Sequence, residues 1–227
     1  MCERTIVIAL VLFCTFSSLY AQAEDPADSS DVFAYHQNIF LKFLFPKGIA
    51  EGVALRSYIR SSAWDEFRKE NSDLESFDEL FIDADALCSD DRTAAILACS
   101  IATLDHKTIP LKLLFGATLS IPLTLESEDD FEARVSKLPK YLYDPNIPDG
   151  DKGQHFFFSA FFMRIVKMNW LVRLFGNGVE IGEQLFVVGG ANDVRDRHAN
   201  ADGRNFGASC EEDSLPLPSM FLTPNPK

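Results

Sequence analysis

Residues that could act as acids, bases or ligands are concentrated between positions 151 and 207. His155 follows Asp151 by one helical turn, so a carboxylate can orient an imidazole. Lys152 stands beside them. Further carboxylates and an amide follow at helical spacings of three or four residues: Glu180, Glu183, Asp193, Asp196 and Asn200. Residues at these spacings share one face of a helix, so several polar faces could converge where helices cross.

This set of side chains suits two kinds of chemistry. Carboxylates with one imidazole can bind Mg, Ca, Mn or Zn, and carboxylates with separated pKa values can act as acid and base. The candidate catalytic residues are His155, Glu180, Glu183 and Asp196. The candidate metal ligands are His155, Asp193 and Asp196. The candidate binding residues are Asp151, Lys152 and Asn200. The cofactor is unknown, and a divalent metal ion is one hypothesis.

The same residues also fit a buried polar network that fixes how helices pack, and the sequence favours this interpretation. Carboxylates would then bond to helix ends and to neighbouring Arg195 or Arg197. Small residues repeat every four positions in the same stretch, at Ala199, Gly203 and Gly207. Such a stripe allows two helices to approach closely.

The helix before the later acidic residues is very apolar. Fifteen of the twenty residues from Phe156 to Phe175 are apolar, but Arg164, Lys167 and Arg173 lie among them. Central charges cost about 2.5 to 3.5 kcal/mol each in a membrane, whereas each Phe or Leu returns about 0.3 to 0.6. The pattern therefore favours a buried or interfacial helix over a membrane span. A second apolar helix is predicted over Val179 to Val188.

Upstream, hydrophobic periodicity predicts helices that build a core. The predicted helices are Tyr35–Phe45, Glu51–Arg60, Ala63–Glu70, Ser76–Leu87 with Ser76 and Glu79 as a capping box, Ser89–His106 with Ser89 as N-cap, and one that opens at Ser127 and closes before Pro139. Between them, alternation over residues 109–124 predicts a hairpin whose apolar face packs on the helices. Residues 144–150 read as a turn-rich linker.

The predicted fold is mainly α, of the α+β kind: a compact helical domain with one β-hairpin, preceded by a signal peptide. The predicted divisions are a signal peptide (1–23), a disordered linker (24–33), a helical region with the hairpin (34–143), a helical region with the polar residues (151–210) and a disordered tail (211–227). The tail carries four prolines, a composition typical of disorder.

The start of the chain predicts export. The apolar run Ile6–Phe16 is followed by Ala21-Gln22-Ala23, an A-x-A cleavage site. The formal charge of −13 repels phosphate backbones, so nucleic acid is not an expected partner. Three cysteines remain after cleavage, and Cys88 and Cys99 lie about 16 Å apart along one predicted helix, too far for a disulfide.

The order of motifs carries a family resemblance. The sequence D-K-x-x-H-F at Asp151, an apolar helix, a glutamate, and then D-x-x-A-N-x-x-G-x-x-x-G from Asp196 resemble the VanZ-like group of bacterial envelope proteins and related small lipoprotein-type proteins. The resemblance covers about a quarter of the chain and implies a cell-envelope protein. VanZ-like proteins have several membrane spans and an apolar segment after the matching Asn, whereas residues 201–205 here are polar.

The sequence therefore predicts a protein exported to the periplasm or cell envelope of a bacterium. It is expected to be a binding or structural protein with a His/Glu/Asp/Asn polar network between helices. The alternative is a metal-assisted hydrolase acting on an envelope lipid or glycan. Peripheral membrane contact is expected, and protein partners are unknown.

Overall fold

The computed structural model of the chain describes residues 47–112, 118–124, 126–166, 194–210 and 215–223. These residues are mainly helical, which confirms the predicted class. The helices are α1 Ile49–Arg60, α2 Ser62–Glu70, α3 Asp73–Leu87, α4 Arg92–Ala102, α5 Glu128–Lys137, α6 Asp151–Val166, α7 Val194–Ser209 and a 3₁₀ helix, Pro218–Phe221.

Two short strands lie between α4 and α5. Strand β1, Thr108–Lys112, pairs antiparallel with β2, Thr118–Pro122, so that Ile109 stands opposite Ile121. The connection at 113–117 lies outside the described residues, as do the side chains on the face that was expected to pack on the helices. The packed hairpin therefore stays a prediction.

Helix α3 begins one turn earlier than the sequence predicted. Its N-cap is Ser72, whose hydroxyl accepts a hydrogen bond from the Glu75 backbone N–H, and the Glu75 carboxylate accepts one from the Ser72 N–H. The predicted capping box at Ser76 and Glu79 is wrong, because Ser76 lies inside the helix and donates to the Ser72 carbonyl. Asp73 in the first turn also favours the earlier start, since it lies at the positive end of the helix dipole.

Helix α4 is shorter than predicted at both ends. Its N-cap is Asp91, which accepts a hydrogen bond from the Ala94 N–H. Ser89 is not the cap, because Ser89 and Asp90 adopt left-handed backbone angles, with φ of 52° and 63°, in the turn after α3. The helix ends at Ala102 rather than His106. Helix α5, in contrast, starts after the predicted N-cap Ser127.

The core is formed where α3, α4, α6 and α7 meet. Five aromatic rings from α3, α6 and α7 contact one another there: Phe77, Phe81, Phe156, Phe157 and Phe206. Cys88, Cys99 and Cys210 are buried in the same core and are not in disulfides, as the spacing of the first two predicted.

Helices α6 and α7 pack against each other as a parallel pair. Gly203 lies against the backbone of Phe156, and Gly207 lies against that of Ala160, one turn further along both helices. A Cβ on Gly203 would overlap the Phe156 carbonyl, and one on Gly207 would lie 2.5 Å from the Ala160 oxygen. The small-residue stripe therefore serves the close approach that the sequence predicted. Because the pair is parallel, the N-terminal ends of both helices lie together.

The prediction of a disordered tail is wrong for residues 215–223. These residues form the 3₁₀ helix and return to bond with α3 and α7. A proline-rich composition disfavours regular helices, but it does not prevent a short segment from docking through side-chain hydrogen bonds.

Several predictions fall outside the described residues. These are the signal peptide at 1–23, the linker at 24–33, the helices Tyr35–Phe45 and Val179–Val188, and the C-terminal part of the apolar stretch that ends at Phe175. Among the residues that the structure describes, no helix is long and apolar enough to cross a membrane.

Candidate functional site

The shared N-terminal end of α6 and α7 brings four polar side chains together. Asp151, Lys152 and His155 come from α6, and Asp196 comes from α7; we call these four residues the lysine cluster. The turn before α6 is held by Asp149, whose buried carboxylate accepts hydrogen bonds from the backbone N–H groups of Leu142 and Tyr143. This turn fixes where α6 begins and therefore where Asp151 and Lys152 stand.

Lys152 is the central cation of the cluster. Its side chain is 2% exposed, its Nζ lies 2.5 Å from Asp196 Oδ1, and it donates a hydrogen bond to Asp151. Burial by itself would lower the pKa of Lys152, but the two carboxylates outweigh that effect and raise the pKa above its ordinary value. The ammonium group is therefore held in its charged form between two negative groups.

The other side chains of the cluster resemble a set of metal ligands. One atom each from Asp151, His155 and Asp196 lie within 4.8 Å of one another, and oxygen with imidazole nitrogen suits several divalent ions. His155 Nε2 is 3.5 Å from Asp196 Oδ1. However, Lys152 already pairs with both carboxylates. A metal ion would have to displace its ammonium group, so the arrangement fits a metal poorly while Lys152 stays in place.

A second polar contact follows one turn along the helix pair. Ser159 Oγ donates a 2.7 Å hydrogen bond to Asn200 Oδ1, and both residues are only 8% exposed. Asp196 and Asn200 therefore contact α6 from one face of α7, as their spacing predicted. The hydrogen bond leaves the Asn200 oxygen engaged in helix packing.

Asp105 lies close to the lysine cluster and was missed by sequence reasoning. Its backbone N–H donates to Gln154 Oε1 of α6 at 3.2 Å. Its Oδ1 atom is buried without a hydrogen bond among the described residues, and His106 Nε2 is 3.7 Å away. Burial, with the charge of Asp151, raises the pKa of Asp105. No local pattern marks Asp105, because it reaches α6 from a distant loop.

A shallow, open depression adjoins the cluster on this side. Its volume is about 270 Å³, and Asp105, His106, Gly150 and Asp151 contribute to its lining. Asp151 is 39% exposed and His155 is 25% exposed, so solvent reaches the outer part of the cluster while Lys152 stays covered.

The structure thus brings together four of the predicted site residues: Asp151, Lys152, His155 and Asp196. Glu180, Glu183 and Asp193 lie outside the described residues. The expected partner of Asp196 was Arg195 or Arg197, and the pairing with Lys152 was missed. The sequence offers only a partial signal for this pairing, because it places Lys152 three residues before His155 but does not fix the direction in which the two helices pack.

Comparisons of the chain with protein-family models, with curated proteins and with solved structures found no match. The function is therefore inferred from the chemistry and geometry of the chain's own residues.

Proposed function

We propose that the chain is an exported protein of the bacterial cell envelope, with a binding or structural role, in which the lysine cluster locks α6 against α7. The observation that carries this proposal is the buried Lys152 ammonium group between Asp151 and Asp196. A buried charge is tolerated when it is paired and hydrogen-bonded, and removal of one partner is then strongly destabilising.

The parallel packing of the helices explains why this end needs charged groups. Two helix N-termini side by side bring partial positive charges together. Asp151 and Asp196 lie in the first turns of α6 and α7, where negative charge offsets that repulsion. Lys152 then bridges the two carboxylates and sets the register of one helix against the other. Ser159 and Asn200 repeat this role one turn further along.

The test is thermal and denaturant unfolding of an Asp196→Asn variant. The substitution keeps the shape but removes one of the two negative partners of Lys152, so we expect a loss of about 3 kcal/mol in the free energy of unfolding. Glu66→Gln, on the exposed side of α2, is the matched control and should change stability by less than about 0.5 kcal/mol. Equal stability of the Asp196 variant and wild type would contradict the proposal.

A second candidate function is metal-assisted hydrolysis of an envelope lipid or glycan, with His155 and Asp196 as catalytic residues. It is favoured by the short separation of the ligand atoms of Asp151, His155 and Asp196. A bound ion would stabilise the fold by about 2.7 kcal/mol at a hundred times its dissociation constant.

Melting curves with Ca, Mg, Mn, Zn and a chelator separate the two candidates. The packing proposal expects no ion-dependent shift, together with a destabilised Asp196→Asn variant. The hydrolase hypothesis expects an increase of several degrees, at roughly 2–4 °C per kcal/mol, that disappears in the variant. An ion-dependent increase that Asp196→Asn removes would replace the first proposal by the second.

Support for export comes from the apolar run Ile6–Phe16, the Ala21-Gln22-Ala23 site and the VanZ-like order of motifs from Asp151 onward. Peripheral membrane contact belongs to the same proposal, because the charges within the Phe156–Phe175 stretch disfavour a span. Fractionation of the native cells should find the mature chain, beginning at Glu24, in the envelope and released by carbonate. An intact Met1, or extraction only by detergent, would count against this proposal.

A further inference from the structure

The C-terminal segment is held against the helices by the same pattern of hydrogen bonds at two positions. We call residues 215–223 the strap; it lies across α3 and α7. At Ser219, the backbone N–H and the hydroxyl both donate to Asp78 of α3, at 2.8 and 2.6 Å. The Asp78 carboxylate thus accepts hydrogen bonds from both the backbone N–H and the hydroxyl of Ser219.

The same arrangement recurs four residues later. The backbone N–H and the hydroxyl of Thr223 both donate to Asp202 of α7, at 3.1 Å each. His198 Nε2 lies 2.9 Å from the Thr223 carbonyl oxygen. Since a carbonyl oxygen only accepts hydrogen bonds, this imidazole nitrogen acts as the donor. The main chain at Thr223 is therefore held through both its N–H and its C=O.

An apolar contact lies between the two polar ones. The Phe221 ring packs edge-on against Phe206 with the ring centres 5.5 Å apart. Pro218 is buried, whereas the neighbouring Met220 is 75% exposed. Phe221 and the next residue, Leu222, both pack against the core, whereas Met220 points into solvent. Contacted and solvent-exposed side chains thus occur together in this segment, as they do in bound peptides.

The groove presents two carboxylates that accept hydrogen bonds, those of Asp78 and Asp202. Asp78 and Asp202 are 9% and 4% exposed, so each carboxylate sits in a largely buried position and accepts hydrogen bonds from the strap. We propose that the groove between α3 and α7 is a binding site for a short peptide segment with hydroxyl residues four positions apart and an aromatic residue between them. In this chain its own strap fills the site.

The chemistry of the groove predicts its specificity. Ionised carboxylates only accept hydrogen bonds, so Asp78 and Asp202 select N–H and O–H donors. An acidic or phosphorylated residue at either hydroxyl position would place negative charge against a buried carboxylate, which rejects it. The preferred ligand therefore has neutral Ser or Thr at both positions.

The short link between α7 and the strap determines how strongly the strap competes with a free peptide for the groove. Helix α7 ends at Ser209 and the strap begins at Leu215, so few residues separate them. A short tether gives the strap an effective concentration on the order of millimolar at its own groove. A free peptide must compete with it, and weakening of the strap's own contacts should open the site.

The experiment uses the full chain with Ser219→Ala and Thr223→Ala together, and a fluorescent peptide with the sequence of residues 215–223. Each lost hydroxyl that donates to a carboxylate weakens the strap by roughly tenfold or more. We expect the peptide to bind the double variant at least ~10-fold more tightly than wild type. A peptide with Met220→Ala should bind equally well, and one with Ser219→Asp should bind at least ~10-fold more weakly.

A second measurement does not depend on the fold of the variant. In isotope-labelled wild-type protein, unlabelled peptide at millimolar concentration should displace the strap and accelerate amide hydrogen exchange at Ser219 and Thr223. Unchanged exchange would overturn the proposal. So would equal peptide binding by wild type and a folded double variant, no binding by that variant, or equal binding of the Ser219→Asp peptide.

Discussion

Two buried charge clusters in this protein use opposite arrangements of ions. The lysine cluster places one ammonium group between two carboxylates. The arginine cluster places three guanidinium groups around one carboxylate, with Arg56, Arg60 and Arg134 all paired to Glu126. Both clusters join elements that are distant in sequence. They differ in the groups that accept hydrogen bonds from their cationic side chains.

The arginine cluster is tied to the backbone. Arg134 is fully buried and donates to the carbonyls of Ala102 and Leu104, at 2.9 and 2.7 Å, as well as to Glu126. Arg56 donates to the Ile101 carbonyl. These carbonyls lie at the C-terminal end of α4, where the helix dipole favours cations. The planar guanidinium groups therefore cap α4 and act as part of the scaffold.

The lysine cluster is less constrained. An ammonium group is a compact charge on a flexible stem, without the fixed fork of a guanidinium group. Its partner Asp151 is partly exposed and lines the open depression, and His155, which lies beside Asp196, is also partly exposed. The comparison shows that burial of charge alone does not mark a functional site. In the arginine cluster, Arg56 and Arg134 donate to backbone carbonyls as well as to side chains, whereas the lysine cluster keeps side chains that solvent reaches.

The largest effect should come from Arg134→Met. The variant keeps an apolar side chain of similar length but leaves the buried carbonyls of Ala102 and Leu104 without this donor, at about 1–3 kcal/mol for each group. We expect a loss of about 3 kcal/mol or more in urea unfolding. Lys107→Met removes an exposed pair with Glu128 and should cost less than about 1 kcal/mol. Equal losses in the two variants would show that the arginine cluster is not a scaffold.

A smaller effect should follow from Gly203→Ala, which disturbs the helix pair below the lysine cluster. The new Cβ would overlap the Phe156 carbonyl, and backbone cannot move aside as a side chain can. We expect a loss of about 1–3 kcal/mol by urea unfolding, since overpacking outweighs the gain in helix propensity. Gly150→Ala is the control, because its Cβ would make ordinary contacts at 3.5 Å. A neutral Gly203→Ala would remove close helix approach as the basis of the cluster.

Local spacing correctly predicted which residues of the lysine cluster share a face within each helix. Asp151 with His155, and Asp196 with Asn200, lie one turn apart in a helix whatever surrounds them, so their shared faces follow from periodicity. The stripe at Ala199, Gly203 and Gly207 predicted the close helix pair for the same reason. The parallel direction of that pair, which makes Lys152 meet Asp196, depends on the whole fold and was not readable.

The arginine cluster and the strap were missed because their contacts are non-local. Arg134 meets the end of α4 only through packing, and no pattern near it marks a buried arginine. The predicted N-cap of α3 was wrong for another reason. Ser72 with Glu75 and Ser76 with Glu79 both match a capping box, and the sequence alone did not show which of the two serines begins the helix. Around Ser219, composition predicted disorder, whereas specific hydrogen bonds to Asp78 decide the structure.

The smallest expected effect is a difference in pH dependence: the two clusters should lose their contributions to the free energy of unfolding at opposite ends of the pH range. The pKa of Lys152 is raised above its ordinary value of 10.5, since the stabilising charges of Asp151 and Asp196 exceed the cost of burial. The charged lysine therefore stabilises the fold fully below that ordinary value, and the contribution is lost as pH rises through the raised pKa. At Glu126, burial favours the neutral form, but the arginines outweigh it and lower the pKa, so the arginine cluster loses its contribution at acidic pH instead.

The measurement is urea unfolding of wild type and Lys152→Met from about pH 8 to about pH 11.5, a range that brackets the ordinary lysine pKa. Wild type should be the more stable at pH 8, and the difference should shrink at the alkaline end, because the wild-type lysine loses its charge there while methionine has none to lose. Arg134→Met should keep its deficit over the same range, since the buried carbonyls of Ala102 and Leu104 lack this donor in the variant at every pH. A constant difference between wild type and Lys152→Met would mean that packing of the lysine stem, rather than its charge between Asp151 and Asp196, stabilises this end of the helix pair.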